Sequence, residues 1–194
     1  MKILFTILFA MTTTILSAQE EKLPYYEIPA PAEDYTAGAV ASRMIDGLGF
    51  RFYWATEGLR KEDLAYKPGD DARTSLETIE HIYSMSFVIL NASKGTPNVQ
   101  GQNKTASYAE MRKTALLNFK TASDALRTST DEQLKEYDAV FQKGDEVVKR
   151  PFWMVINGPI ADCIWHCGQI VSFRRQSGNP FSGKVSLFTG TVSE

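Results

Sequence analysis

The chain has 194 residues, the length of one domain with a substantial hydrophobic core. Its formal net charge is −2, which argues against the clustered basic surface that binds nucleic acid, so nucleic acid is not an expected partner. Only two histidines and two cysteines are present, which leaves few side chains from which a metal or thiol site can be built.

Residues 1–18 have the features of a signal peptide. Lys2 supplies the positive charge, an apolar run follows, and small residues end the segment at Ala18. The segment is short for a membrane helix and no later stretch is long and apolar enough, so no stable membrane span is expected. We therefore expect an exported protein, either periplasmic or secreted. Residues 19–33 contain three prolines and are expected to form an extended leader.

The first long helix is expected to begin after Asp34, a residue type that caps helix N-termini well, and to extend to about Leu59. Its glycines weaken helix propensity, and we interpret them as points of close packing between helices. Residues 61–71 contain a Pro-Gly turn signal and are predicted to be a loop.

The second long helix is predicted to begin with a capping box formed by Thr74 and Glu77. Apolar residues recur at helical spacing from Leu76 to Leu90, which indicates an amphipathic helix. His81 lies in this stretch, and Glu77 stands one turn before it. Glu77 is therefore a candidate to support a site at His81, although capping alone explains its presence.

The middle of the chain combines a third long helix with a small β element. Residues 94–105 are polar, with glycine and proline, and predict a loop. Ser107 and Glu110 form a second capping box, which begins the third long helix. A short helix is expected from Thr130 to about Tyr137. Residues 138–150 read as two short strands around a Lys-Gly-Asp turn, which predicts a hairpin.

The fourth long helix is predicted to start after Pro151 and to end in the Ser-Gly-Asn-Pro sequence of residues 177–180. Pro159 removes one helical hydrogen bond, so a kink is expected there. Gly168 is expected to let another helix approach closely. Residues 179–194 form a tail that is expected to add an edge strand or to pack on the helices.

The fourth helix carries the strongest signal for a functional site. Asp162 and His166 are four residues apart, so they lie one turn apart on one helix face. A carboxylate and an imidazole in this arrangement can bind one divalent metal or share a proton. The same spacing is also found in surface acid–histidine pairs that bind no metal, which is the alternative interpretation of Asp162 and His166. If the second and fourth helices pack side by side, His81 can join the other two side chains.

Three sequence motifs resemble those of one family. The run His166-Cys167-Gly168-Gln169-Ile170 is similar to the last-helix motif of the DinB/YfiT-like superfamily. The stretches 76–82 and 64–68 are similar to that family's second-helix motif and to the segment before it. The resemblance covers roughly residues 34–178. It implies an all-α fold, an up-down four-helix bundle, to which the sequence pattern adds the small hairpin before the last helix and an irregular tail after it. It also implies a divalent metal held by three histidines, and often a homodimer.

The family's metal ligands match this chain in part. His81 matches the first ligand and His166 the third, whereas the second position falls on Asp162. The resulting His-Asp-His set implies one divalent ion, with Zn, Ni, Mn and Fe as the candidates. Gln169 is expected either to hydrogen-bond near the ligands or to close the core. Trp165 and Cys167 also depart from the family, standing where it often has His and Arg.

Together with the predicted signal peptide, the resemblance implies an exported metal-dependent transferase or hydrolase of unknown substrate, with a small molecule as the expected partner. The alternative hypothesis is a non-catalytic binding or interaction module in the cell envelope, with a degenerate metal site on the same bundle. Cys163 and Cys167 are four apart on one helix, a poor geometry for a disulfide, so two buried thiols are expected. A third hypothesis, a cysteine-based redox enzyme or transferase, requires an exposed thiol of low pKa.

Overall fold

The computed structural model of the protein describes residues 22–101 and 106–194. The predicted signal peptide lies outside these residues. The longest helices in the described ranges have 20 residues, and none is apolar enough to cross a membrane.

Four long helices form a bundle, which confirms the predicted fold class. Helices α1 and α3 each pack against both α4 and α7. Helix α7 therefore lies between α1 and α3, and its side chains can meet residues from both. The buried core is apolar and includes Leu48, Phe52 and Phe119, with no accessible surface on any of the three. The helices are α1 (Ala37–Thr56), α2 (Lys61–Ala65), α3 (Ser75–Ala92), α4 (Tyr108–Arg127), α5 (Asp131–Lys135), α6 (Phe152–Val155) and α7 (Ala161–Gln176).

Side-chain caps fix where the long helices begin. Both predicted capping boxes, at the starts of α3 and α4, are confirmed. At α1 the cap is Thr36 rather than Asp34: the Thr36 hydroxyl accepts a hydrogen bond from the backbone N–H of Ala39. The predicted loop after α1 was wrong in part, because Asp63 accepts from the backbone N–H of Arg60 and so starts the five-residue helix α2.

The predicted hairpin is confirmed and gains a third strand. Strands β2 (Ala139–Lys143) and β3 (Glu146–Arg150) pair antiparallel around Gly144, whose φ of +57° suits a glycine in a tight turn. Strand β1 (Asn98–Val99) joins β2 in parallel. Its two residues lie within the stretch that was predicted to be a loop. The sequence did not reveal the strand, because two residues show no periodicity.

The leader is anchored to the bundle by Tyr25, which is buried. Its hydroxyl donates a hydrogen bond to the buried carboxylate of Asp46, 3.1 Å away. Its ring lies against Gly49, where a Cβ atom would come within 2.4 Å of the ring. Gly49 therefore packs against the leader and not against a helix, whereas the predicted close packing between helices is found at Gly38, where a Cβ atom would come within 2.4 Å of the Leu126 carbonyl oxygen in α4. The tail forms a second small hairpin, β4 (Val185–Ser186) with β5 (Thr191–Val192), and its Gly190 carbonyl accepts from the N–H of Ile28.

The last helical segment is continuous but irregular. Between α6 and α7, residues Ile156–Ile160 form one π-helical turn that contains Pro159. The interruption predicted at this proline therefore takes the form of a π turn, a wider turn that accommodates the missing N–H. The expectation for Gly168 was wrong: a Cβ atom there would have no neighbour within 4 Å, because the residue faces solvent.

Candidate metal centre

His81, Asp162 and His166 converge on one side of the bundle, where α3 packs against α7. One ligand atom from each residue lies within 4.8 Å of the other two. Among the described residues, these three are the only His, Cys, Asp or Glu side chains that lie close enough together, in a group of three or more, to hold one metal ion. The sequence placed two of them on one helix, and the packing of α3 brings the third.

The Asp162 carboxylate bridges the two imidazoles. Its Oδ2 lies 2.8 Å from Nε2 of His81, and its Oδ1 lies 3.4 Å from Nε2 of His166. The two rings are nearly perpendicular, with centroids 4.9 Å apart. Since an ionised carboxylate only accepts hydrogen bonds, His81 donates from Nε2 to Asp162.

Gln169 fixes the orientation of His166. Its Oε1 lies 2.7 Å from Nδ1 of His166, so the imidazole donates from Nδ1 and the neutral ring keeps a lone pair on Nε2. That lone pair points to the side of Asp162. A hydrogen bond to the remote nitrogen is the usual way in which proteins orient a histidine ligand.

Glu77, a candidate to support the site at His81, lies at the N-terminus of α3. Its Oε2 accepts hydrogen bonds from both the N–H and the hydroxyl of Thr74, at 2.7 and 3.0 Å. These two bonds lower the pKa of the Glu77 carboxyl. Glu77 thus performs the capping role that the sequence pattern indicates, and it is not part of the group of three converging ligands.

The geometry is compatible with one divalent ion. Ligand distances of ~2.0–2.2 Å place two donors of a tetrahedral ion about 3.3–3.6 Å apart. The observed 3.4 Å pair already meets this separation. The 2.8 Å pair must open by roughly half an ångström, and the ion would take the place of the proton on Nε2 of His81. Two imidazole nitrogens and a carboxylate oxygen also form a donor set that Zn, Ni, Mn and Fe accept.

The centre is open to solvent on one side. Asp162 is the most exposed of the three side chains, at 43%, whereas His81 is 28% and His166 13% exposed. An incoming molecule can therefore approach past Asp162, whereas His166 is the most buried of the three ligands.

Both cysteines are free and lie in the core behind the site. Burial raises the pKa of the Cys167 thiol to about 12 and that of Cys163 further. Both thiols therefore remain protonated at neutral pH, as the prediction of buried thiols requires. The burial of both thiols contradicts the exposed thiol of low pKa that the hypothesis of a cysteine-based enzyme requires.

The burial of two charged residues at the end of α7 was not predicted from the sequence. The Arg174 guanidinium donates to the carbonyls of Trp54 and Ala55 at the end of α1, at 2.8 and 3.2 Å. Asp63, which is fully buried, accepts from Ser177 at 2.6 Å. The Arg-x-x-Asp capping pattern was visible in the sequence, but nothing local indicated the contacts with α7.

Among solved structures, the chain is similar to the crystal structure of a DinB-like protein, YjoA, from Bacillus subtilis. The TM-score is 0.52, 16% of the residues are identical, and the match covers 71% of this chain and 93% of that chain. No protein-family model and no curated protein matches the sequence. At this identity the similarity concerns the fold. The chain therefore has the fold of the DinB-like proteins.

Proposed function

We propose that this is an exported DinB-like protein that binds one divalent metal ion through His81, Asp162 and His166. The observation that carries the proposal is the convergence of three donor side chains from two helices, with His81 and Asp162 separated by 81 residues of sequence. Two neutral imidazoles beside a carboxylate form a donor set typical of transition-metal sites.

The residues around the three ligands suit a reactive centre. Three protein ligands leave a coordination position free, and the exposed side of Asp162 gives a small molecule access to it. Gln169 keeps His166 in the orientation and tautomer that a ligand requires. A bound divalent ion would supply a Lewis acid at this position. We infer a metal-dependent transferase or hydrolase with a small-molecule substrate.

The first experiment measures bound metal in protein purified without a metal-binding tag. Wild type should contain about one ion per chain after loading with Zn²⁺, Ni²⁺, Mn²⁺ or Fe²⁺, and His81→Ala and His166→Ala should lose it. Glu80→Ala is the matched control, since Glu80 is an exposed carboxylate next to His81. Unchanged metal content in both histidine variants would contradict the proposal.

A non-catalytic module is the second candidate, and the hydrogen bond between His81 and Asp162 favours it. At 2.8 Å this bond satisfies the carboxylate without an ion. In that case the role of the three side chains is to hold α3 against α7 through the bond between His81 and Asp162. The metal-free wild type should then resist urea more than His81→Ala by about 1–2 kcal/mol, and neither should bind metal.

Export and dimer formation belong to the same proposal. Expression with the native N-terminus should yield a mature protein that begins after Ala18, as determined by N-terminal sequencing of the secreted or periplasmic fraction. Light scattering on the purified protein should give the mass of a homodimer. A full-length cytoplasmic product would contradict export, and a monomer mass would contradict the dimer.

A further inference from the structure

Trp165 is a large apolar side chain that the fold leaves in solvent next to the candidate metal centre. Its side chain is 72% exposed, although indole is among the most apolar groups in proteins. It directly precedes His166 and lies three residues after Asp162 in helix α7. Packing within the bundle does not explain an indole at this position.

Helix geometry places Trp165 on the open side of the centre. Successive residues are separated by about 100° around the helix axis, so Trp165 lies about 60° from Asp162, on the side away from His166. The buried residues Cys163 and Cys167 mark the opposite, core-facing direction. Long side chains on a helix also lean toward its N-terminus. The same lean carries a side chain at position 165 toward the turn of Asp162.

The charge of the centre determines which ligand fits beside this indole. Two neutral imidazoles and one carboxylate carry a charge of −1, so a divalent ion would leave a net charge of +1. A monoanionic donor group would neutralise this charge. The adjacent indole face favours an aromatic ring on the same ligand, through stacking.

We propose that Trp165 is a specificity-determining residue that gives the metal centre a preference for ligands with a monoanionic metal-binding group attached to an aromatic ring. The inference rests on the proposed function, because it requires the ion to be present.

The experiment compares two hydroxamates that share one metal-binding group. Benzohydroxamate carries an aromatic ring and acetohydroxamate a methyl group. Calorimetric titration of the metal-loaded protein should give benzohydroxamate an advantage of about 3–10-fold in Kd for wild type, as expected for one stacking contact. In Trp165→Ala this advantage should disappear, with the metal content unchanged.

Trp153→Ala is the matched control. Trp153 is 78% exposed and precedes α7, separated from Asp162 by the π-helical turn. This variant should keep the full preference for the aromatic ligand. Binding of benzohydroxamate should also quench tryptophan fluorescence in wild type and in Trp153→Ala, but not in Trp165→Ala.

The outcomes distinguish a failure of metal binding from a failure of the role assigned to Trp165. If wild type binds no metal, the proposed function is contradicted, and the inference with it. If metal binds and the aromatic preference is equal in wild type and Trp165→Ala, the role of Trp165 alone is overturned. Loss of the preference in Trp153→Ala as well would overturn it too, because the effect would then not be specific to the indole beside Asp162.

Discussion

Nε2 of His81 in α3 lies 2.8 Å from Oδ2 of Asp162 in α7, across 81 residues of sequence. This contact exists only when the two helices pack at the correct height and rotation. Both ends of α7 are constrained, by the π turn before it and by Arg174 near its end. The candidate centre therefore depends on residues that never touch it.

Gln169 should control metal affinity through His166. Gln169→Leu removes the acceptor for Nδ1 and should weaken metal binding about 10–100-fold, whereas Gln169→Glu should retain it, because a carboxylate accepts the same bond. Competition with a chromophoric chelator measures the affinities. Gln176→Leu, two turns farther along the helix, is the control. Equal affinity in wild type and Gln169→Leu would contradict the positioning role.

The two thiols should be unreactive in the folded protein. With a pKa of about 12, only about one Cys167 thiol in ten thousand is ionised at pH 8, and burial blocks access as well. A colorimetric thiol reagent should label neither Cys163 nor Cys167 within minutes in buffer, and both in guanidinium. Ser172→Cys, at an exposed position of α7, is the positive control. Rapid labelling of native wild type would contradict the buried arrangement.

The buried carboxylate of Asp63 should make stability depend on pH in the acid range. Hydrogen bonds from Arg60, Ser177 and Asn179 hold its pKa well below the ordinary 3.8. Because the unfolded chain takes up the proton first, the stabilisation is present above the ordinary pKa and is lost as pH falls below it. Wild-type stability, measured by urea unfolding, should therefore decline from about pH 5 toward pH 2.

Substitution of Asp63 tests this assignment. Asp63→Asn should cost about 2–3 kcal/mol at pH 7, since Arg60 is half exposed and its side of the pair is partly screened. The variant should also show a flatter acid dependence. Glu62→Gln, an exposed neighbour, should change neither quantity. An unaltered pH profile in Asp63→Asn would exclude Asp63 as the source of the acid sensitivity.

Two glycine-to-alanine substitutions should have opposite signs. Gly49→Ala forces a methyl group against the ring of Tyr25 and should destabilise the protein by about 1–3 kcal/mol. Gly168→Ala meets no atom within 4 Å and should stabilise it by up to about 1 kcal/mol through helix propensity. Urea unfolding of both variants and wild type measures the difference. Equal effects of the two would contradict the packing of Tyr25 on α1.

Most features that depend on neighbours in sequence were predicted correctly, whereas several that depend on distant contacts were missed. The Thr74 and Ser107 capping boxes involve residues three apart, so the sequence was sufficient to find them. The cap of α1 was misplaced by two residues, since both Asp34 and Thr36 are suitable cap types and only the backbone path decides between them. Strand β1 was missed because its two residues are defined only by their pairing with β2.

The sequence by itself determined the four long helices, the hairpin and the pairing of Asp162 with His166, because each follows from signals within one stretch of the chain. Only the tertiary structure decided that His81 meets Asp162 and that Gln169 holds His166. The rotation of one helix against another is set by the packing of whole side-chain surfaces, which no single stretch of sequence encodes.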